Sequence, residues 1–160
     1  MKIPTFVKKN NLIIFLFSLG LGIVITLFAS NTMYAKTDVL FSPRGSIKEV
    51  IIKTISSSEE SIDVAAFTFT SGDIAEALYN AKERGVKIRL VIDQGQDKRR
   101  NPVLEFLQEE GFDLQFLKGN IGGSMNNTFA IFDGKLLVTG SYNWTEYSEK
   151  FNYENAIFID

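Results

Sequence analysis

Residues 125–144, M-N-N-T-F-A-I-F-D-G-K-L-L-V-T-G-S-Y-N-W, decide how this chain folds. Two short apolar runs, 129–132 and 136–139, flank Asp133-Gly134, a residue pair that favours tight two-residue turns. The pattern predicts a β-hairpin. The polar segment 140–143, Gly-Ser-Tyr-Asn, follows the second strand at once and is itself a good turn sequence.

The same stretch resembles the signature of the phospholipase D superfamily, H-x-K-x-x-x-x-D followed six residues later by G-S-x-N. Asp133 occupies the position of the motif aspartate, and residues 140–143 match G-S-x-N in register. Asn126 stands at the histidine position and Thr128 at the lysine position. The resemblance therefore identifies the chain as a member of this superfamily in which two motif residues are replaced.

The resemblance implies a site and a reaction. In the family, the motif histidine attacks phosphorus to form a phosphohistidine, and a histidine from a second motif protonates the leaving group. The resemblance places Asn126 and Thr128 in catalytic positions and implies that Ser141 and Asn143 bind phosphate oxygens. Residues 154–156, Glu-Asn-Ala, resemble a late family element whose glutamate contacts the catalytic histidine.

That implied site therefore includes Glu154 and Asp133 beside the four residues above. For Asp133, a structural role in capping backbone groups of the hairpin is favoured over a catalytic one. Beyond the motif, residues 41–46, 66–70 and 84–93 also resemble small single-motif members of the superfamily, so the resemblance covers the region from residue 36 onward.

The composition restricts the chemistry of this chain. It contains no histidine and no cysteine, so imidazole or thiol nucleophiles, disulfides and thiolate metal sites are excluded within it. The neutral amide of Asn126 is a very poor nucleophile, and Thr128 is too short and uncharged to replace an ammonium. Losing a nucleophile costs about 10⁶-fold in turnover in other covalent hydrolases, so we expect severe impairment or inactivity. The acidic residues show no metal-ligand spacing, and no cofactor is implied.

The first 35 residues differ in character from the rest. Lys8 and Lys9 precede an uncharged, mostly apolar run of 18 residues, 12–29, which predicts a membrane anchor with its amino end in the cytoplasm. A cleaved signal peptide is the alternative. We therefore expect 1–35 to be an anchor or signal segment. The domain from 36 to 160 would then lie outside the cytoplasm, in the periplasm or extracellular space, or be secreted after cleavage.

Fourteen of the 17 basic residues and all 19 acidic residues follow residue 35, which gives this part a net charge of about −5. Such a domain is a poor candidate for non-specific binding to nucleic acid, which depends on phosphate neutralisation. The cluster Lys98-Arg99-Arg100 is interpreted as a solvated loop. The apolar run and the acidic balance together favour phospholipid over nucleic acid as the source of the phosphodiester ligand.

Alternation of strand-like and helix-like segments predicts an α/β fold, a layered mixed β-sheet flanked by helices. The resemblance makes it phospholipase D/nuclease-like with one motif per chain. Ser46 and Glu49 match a capping box at the start of the first helix, whose buried face would carry positions 47, 50, 51, 54 and 55. A second helix is predicted from Asp73 to Arg84. A third begins at Pro102 and buries positions 103, 106 and 107. The predicted strands are 38–41, 62–69, 86–92, 114–117, 129–132, 136–139 and 153–159.

Single-motif relatives form one active site from two chains, so the resemblance implies a homodimer with a shared site and a phospholipid or nucleic-acid phosphodiester as ligand. The alternative function is a non-catalytic, membrane-tethered binding or regulatory pseudoenzyme, or a partner of an intact paralogue. The sequence ends at Asp160, after the last predicted strand, where relatives continue into another helix; a C-terminal helix is therefore expected to be lacking and one apolar sheet face uncovered. Tyr142, Trp144 and Tyr147 are candidates for stacking on a base or lying at a lipid surface, with ordinary packing favoured.

Overall fold

The computed structural model describes residues 35–96 and 101–160. The apolar run at 12–29 and the cluster Lys98-Arg99-Arg100 lie outside the described residues. Residues from Ala35 to Asp160 form a compact unit that contains the whole of the hydrophobic core described below, so this unit has what it needs to fold by itself. Within the described ranges no helix combines the length and apolarity needed to cross a bilayer.

The described residues form a seven-stranded mixed sheet with the order β1-β7-β6-β5-β2-β3-β4. Strands β2, β3 and β4 run parallel, and all other neighbouring pairs are antiparallel. The predicted layered α/β fold is confirmed. In chain order the elements are β1 (Thr37–Phe41), α1 (Ile47–Ser57), β2 (Ser61–Ala66), α2 (Gly72–Glu83), β3 (Lys87–Asp93), α3 (Pro102–Glu109), β4 (Asp113–Leu117), a 3₁₀ turn (Asn120–Gly122), β5 (Thr128–Phe132), β6 (Leu136–Gly140), α4 (Glu146–Lys150) and β7 (Asn155–Ile159).

One core lies between the first three helices and one face of the sheet. Ile47, Ile51 and Ile55 are fully buried at helical spacing, as the pattern of α1 predicts, whereas positions 50 and 54 of the predicted face are only partly buried. Val64 and Ala130, paired across β2 and β5, face the same core. In α3 the predicted buried set was wrong in part. The buried positions are 104 and 107, whereas 103 and 106 are only partly buried, because a helix that begins at Pro102 turns the 104/107 stripe inward.

Alternate strand residues point to the opposite face of the sheet, because side chains alternate along a strand. Phe129 and Ile131 are half-buried there and do not belong to the core cluster. A groove of about 330 Å³ crosses this face, lined among others by Phe129 and by Asp63 and Arg89, which form a bidentate ion pair. In the described part of the chain no helix packs its buried residues on this second face.

The predicted capping box at Ser46 is wrong. Ser46 adopts a left-handed conformation (φ 52°, ψ 39°) and its side chain caps nothing, because a side-chain cap requires extended backbone at that position. The helix end is instead capped from far away in sequence, since the Glu149 carboxylate accepts a hydrogen bond from the Lys48 backbone N–H at 3.1 Å. A carboxylate at a helix N-terminus is also favoured by the helix dipole.

Two strand limits differ from prediction by two or more residues, and one helix was not predicted. Strand β2 ends at Ala66 and not at Phe69, which forms a separate bridge to Trp144. Strand β7 begins at Asn155 and not at Tyr153. The five-residue helix α4 was not predicted, since it is too short to show a helical period.

The hairpin between β5 and β6 is confirmed, and its turn is hydrogen-bonded to the start of β2. Asp133 and Gly134 both have positive φ, 52° and 63°, in a connection of three residues, one more than the predicted turn. The Asp133 carboxylate accepts hydrogen bonds from the backbone N–H groups of Glu59, Glu60 and Ser61, at 2.8–3.3 Å. Desolvation by itself would raise the pKa of Asp133, but these donors outweigh it and the pKa is lowered.

We predict that Asp133→Asn destabilises residues 35–160 by about 1–3 kcal/mol at neutral pH, since an amide cannot accept from all three N–H donors as a carboxylate does. Because folding lowers the pKa of Asp133, its contribution is present above the unfolded value near 3.8 and lost as the pH falls through the folded value. Urea unfolding at pH 7 and pH 3 measures this difference. Glu76→Gln, on exposed helix surface, is the control. A pH-independent or absent effect would contradict the role assigned to Asp133.

Candidate functional site

Four of the predicted site residues, Thr128, Ser141, Asn143 and Glu154, meet at one end of the inner strands. We call this end of the strands the edge that holds the site. Thr128 opens β5 opposite Ala66, the last residue of β2. In the adjacent strands, Gly140 pairs with Ala156, so residues 141–143 after β6 and Glu154 before β7 emerge at the same edge. Asp133 lies at the other end of β5 and does not belong to this site. The structure thus brings the predicted phosphate-binding residues together and separates the structural aspartate from them.

Thr128 and Asn143 are in direct contact. The Thr128 hydroxyl donates to Asn143 Oδ1 at 3.3 Å, and Asn143 Nδ2 lies 3.5 Å from the Ser141 carbonyl oxygen. Both distances are long for hydrogen bonds, so these weakly held groups are free to turn toward a ligand. The Asn143 amide and the Thr128 hydroxyl are uncharged, and both side chains are half-buried.

The position before Ser141 requires glycine for a steric reason. Gly140 has φ 155°, and a Cβ at this position would collide with the carbonyl oxygen of Asn155. That close approach brings the Ser141 hydroxyl to the Asn155 backbone N–H, from which its oxygen accepts at 3.2 Å. Ser141 is otherwise exposed, so its O–H proton remains available to a ligand.

Glu154 is held by a residue that the sequence did not mark as functional. Ser42 is 4% exposed, and its N–H donates to the Glu154 carbonyl oxygen while its Oγ accepts from the Glu154 N–H at 3.2 Å. The Glu154 carboxylate accepts from Asn152 Nδ2 at 2.8 Å and from the Ser148 hydroxyl at 3.5 Å. The sequence signal for Ser42 was its place in the turn after β1.

The segment that carries Asn126 is fixed by a second unmarked residue, Asp93. This buried carboxylate at the end of β3 accepts from the Met125 N–H at 2.7 Å and from the Gly95 N–H at 2.9 Å. Asn126 itself is exposed and forms no hydrogen bond with any described residue. An acidic residue at the end of a buried strand was the available signal, because a buried carboxylate needs donors.

The two aromatic residues within the G-S-x-N-W segment serve packing. Trp144 is 2% exposed, meets Phe69 edge-to-face at 5.2 Å, and exchanges backbone hydrogen bonds with residues 68, 70 and 71. Tyr142 is equally buried and donates its hydroxyl to Glu149 at 2.8 Å; burial and this carboxylate raise the pKa of Tyr142. The packing interpretation favoured for both residues is confirmed, whereas Tyr147 is 65% exposed.

Apart from the Glu154 carboxylate, which accepts hydrogen bonds, the site residues here offer neutral hydrogen-bond donors. A cavity of about 10 Å³, lined among others by Thr128, Gly140 and Trp144, is too small for a phosphate group. This cavity is not lined by Asn126, Ser141, Asn143 or Glu154, so apart from Thr128 it is separate from the candidate site. Within residues 35–96 and 101–160, no group of three or more acidic side chains is placed to bind a metal ion.

Known proteins are similar to this chain in sequence and in fold. The family model described as "Cardiolipin synthase, PLD-like domain" matches residues 51–160. The chain belongs to the phospholipase D superfamily. Among superfamily structures, the phospholipase D family member Nuc from Salmonella typhimurium superposes with a TM-score of 0.72 at 32% identity, covering 79% of this chain and 83% of that one. NucT from Helicobacter pylori gives a TM-score of 0.70 at 28% identity, covering 79% and 86%.

A curated relative in the superfamily is the phospholipase D of Rickettsia conorii, 34% identical over 126 residues. The match covers 79% of this chain and 62% of the relative. The chain thus spans about three fifths of the length of curated relatives such as this one.

We predict that Asp93→Ala lowers the stability of residues 35–160 by about 2–3 kcal/mol and accelerates hydrogen exchange at the Met125 amide. The reason is that two backbone donors lose a charged acceptor in a buried position. Urea unfolding and amide exchange followed by NMR measure the two effects. The matched control is Asp113→Ala, an exposed carboxylate at the start of β4. Unchanged exchange at Met125 in a folded variant would contradict this role of Asp93.

Proposed function

We propose that this chain is a phosphodiester-binding protein of the phospholipase D superfamily whose own turnover is absent or severely impaired. The observation that carries the proposal is the absence of histidine from all 160 residues, with Asn126 at the histidine position. The family reaction needs an imidazole to attack phosphorus and another to protonate the leaving group, and this chain supplies neither. The hydroxyl and amide side chains of Asn126, Thr128, Ser141 and Asn143 hydrogen-bond but are not proton-transfer groups near neutral pH.

Binding makes smaller demands than turnover. A phosphodiester carries one negative charge and exposes oxygens that accept hydrogen bonds from hydroxyl and amide donors. Ser141, Asn143, Thr128 and Asn126 carry such donors at one sheet edge. Thr128 contributes no positive charge in place of the lysine, so we expect weaker binding than at a site with an ammonium group.

A second chain would complete the site. Asn126 and Ser141 are exposed in one chain, and single-motif members of the superfamily form one active site from two chains. We therefore propose a homodimer with a shared site. The other candidate is pairing with an intact paralogue, which would contribute one histidine of the two required and leave a site that binds substrate but turns it over poorly.

We favour a phospholipid over a nucleic acid as the source of the phosphodiester. The domain from residue 36 carries a net charge of about −5, which opposes the approach of a polyanion. The apolar run 12–29 supports a membrane tether, or a secretion signal if it is cleaved, with the domain outside the cytoplasm in either case.

We predict that residues 35–160 do not hydrolyse bis(p-nitrophenyl) phosphate above the buffer rate, whereas the double variant Asn126→His, Thr128→Lys gains measurable hydrolysis. The gain is expected because Thr128 contacts Asn143 and Asn126 is exposed two residues before Thr128, so both positions are open to the larger side chains. Release of p-nitrophenol is the measurement. The control Asn127→His, Thr128→Lys adds the same side chains with the histidine one position away.

Turnover by the original sequence that survives repurification and vanishes on Ser141→Ala would overturn the proposal of impaired catalysis. A double variant that is folded but silent would show that more than two side chains separate this site from an active one.

We predict that dimethyl phosphate binds residues 35–160 weakly and shifts the backbone amide signals of Ser141 and Asn143. The double variant Ser141→Ala, Asn143→Ala should bind about thirtyfold more weakly, because two donors worth about 1 kcal/mol each are lost. An NMR titration measures both affinities, with Ser56→Ala on the exposed face of α1 as control. Equal affinity in all three proteins would argue against binding at this edge.

A further inference from the structure

Three aromatic side chains beside the site have no packing role that explains their position. Tyr147, Phe151 and Tyr153 are 65%, 67% and 94% exposed. The rings of Tyr147 and Phe151 lie 5.1 Å apart, and Tyr153 follows two residues later, directly before Glu154. We call these three residues the aromatic patch. Exposed rings of this size suit an interaction surface better than they suit solvent.

The backbone that carries the aromatic patch is held in place. The Phe151 N–H donates to the Tyr147 carbonyl oxygen at 3.0 Å, which closes the end of α4. The Asn152 carbonyl oxygen accepts from the buried Ser42 hydroxyl at 3.0 Å. The rings are therefore displayed on a fixed loop, which reduces the conformational entropy lost on binding.

The charge around the aromatic patch selects among partners. Glu146, Glu149 and Glu154 lie in the same segment. The ammonium groups of Lys48 and Lys150 both pair with Glu146, at 2.6 and 2.8 Å, whereas among the described residues Glu149 and Glu154 form no ion pair. Phosphate-rich surfaces, such as nucleic acid or an anionic bilayer, are therefore disfavoured. Aromatic ring faces beside carboxylates are instead complementary to a quaternary ammonium group.

We propose that the aromatic patch docks on a zwitterionic phospholipid surface, with its rings at headgroup level and choline ammonium groups against the ring faces. Tyrosine suits this depth because it has an apolar ring and a polar tip. Since Glu154 follows Tyr153, docking brings headgroup phosphates next to the edge that holds Ser141 and Asn143. The inference goes beyond the proposed function, because docking does not require that edge to bind phosphate.

The test is co-sedimentation of residues 35–160 with phosphatidylcholine vesicles, which avoids the contribution of the apolar run 12–29. We expect binding by the original domain and at least a tenfold loss in the triple variant Tyr147→Ser, Phe151→Ser, Tyr153→Ser. The matched control is Leu117→Ser, which removes a 48% exposed apolar side chain at the end of β4, the edge strand on the other side of the sheet. Tyr153→Ser alone, at a 94% exposed position, guards against misfolding and should also weaken binding.

Further experiments test whether the aromatic patch binds an anionic lipid, a nucleic acid or a second copy of the chain instead. Adding phosphatidylglycerol to the vesicles should not strengthen binding, and a single-stranded oligonucleotide should not bind through the aromatic patch. The proposal is overturned if the original domain ignores phosphatidylcholine vesicles or if the triple variant binds them equally. It is also overturned if the substitutions abolish oligonucleotide binding or reduce the mass of a dimer measured by light scattering. Loss of dimethyl phosphate binding with vesicle binding intact would count against the proposed function alone.

Discussion

The structure depends on one carboxylate, that of Asp133. It sits in a turn with positive φ and accepts hydrogen bonds from three successive backbone N–H groups that lead into β2. Its own N–H donates to the Ser61 carbonyl oxygen, so the hairpin turn and the start of β2 are fastened in both directions. This fixes the register of β5 against β2 and places Thr128 opposite Ala66 at the far end. The aspartate of the superfamily signature thus positions the site residues by fixing strand register, from the opposite end of the strands.

A second constraint is the division of labour within residues 141–144. Burial alternates along this segment: Tyr142 and Trp144 are buried, whereas Ser141 is exposed and Asn143 is half-buried. Tyr142 reaches Glu149, which in turn caps α1 through the Lys48 N–H. The Lys48 ammonium bonds Asp73 and Glu146, and these carboxylates raise the pKa of Lys48. The polar residues of the site are therefore presented by a segment whose other half is anchored in the core.

Sequence reasoning predicted what local pattern determines. The hairpin around Asp133, the buried stripe of α1 and the alternation of strands and helices follow from periods of 2.0 and 3.6 and from turn chemistry. Sequence reasoning failed where a residue distant in sequence determines the local structure. Ser46 matched a capping box, but the cap of α1 comes from Glu149, about 100 residues later. The contacts of Asp93 with Met125, and the place of β1 beside β7, are also non-local and leave no mark in either segment.

These constraints separate the scaffold from the chemistry. Asp133, Gly140 and Trp144 act by backbone capping, close approach and burial, and none of these functions uses the side chains at 126 and 128. Asn126 is exposed, and the Thr128 side chain makes only one long hydrogen bond. Substitution at the exposed position 126 costs the fold little, and the half-buried side chain at position 128 contributes little beyond that one hydrogen bond. In our proposal the chain therefore keeps the geometry of a phosphodiester site without its reactive groups, and the remaining donors provide recognition without turnover.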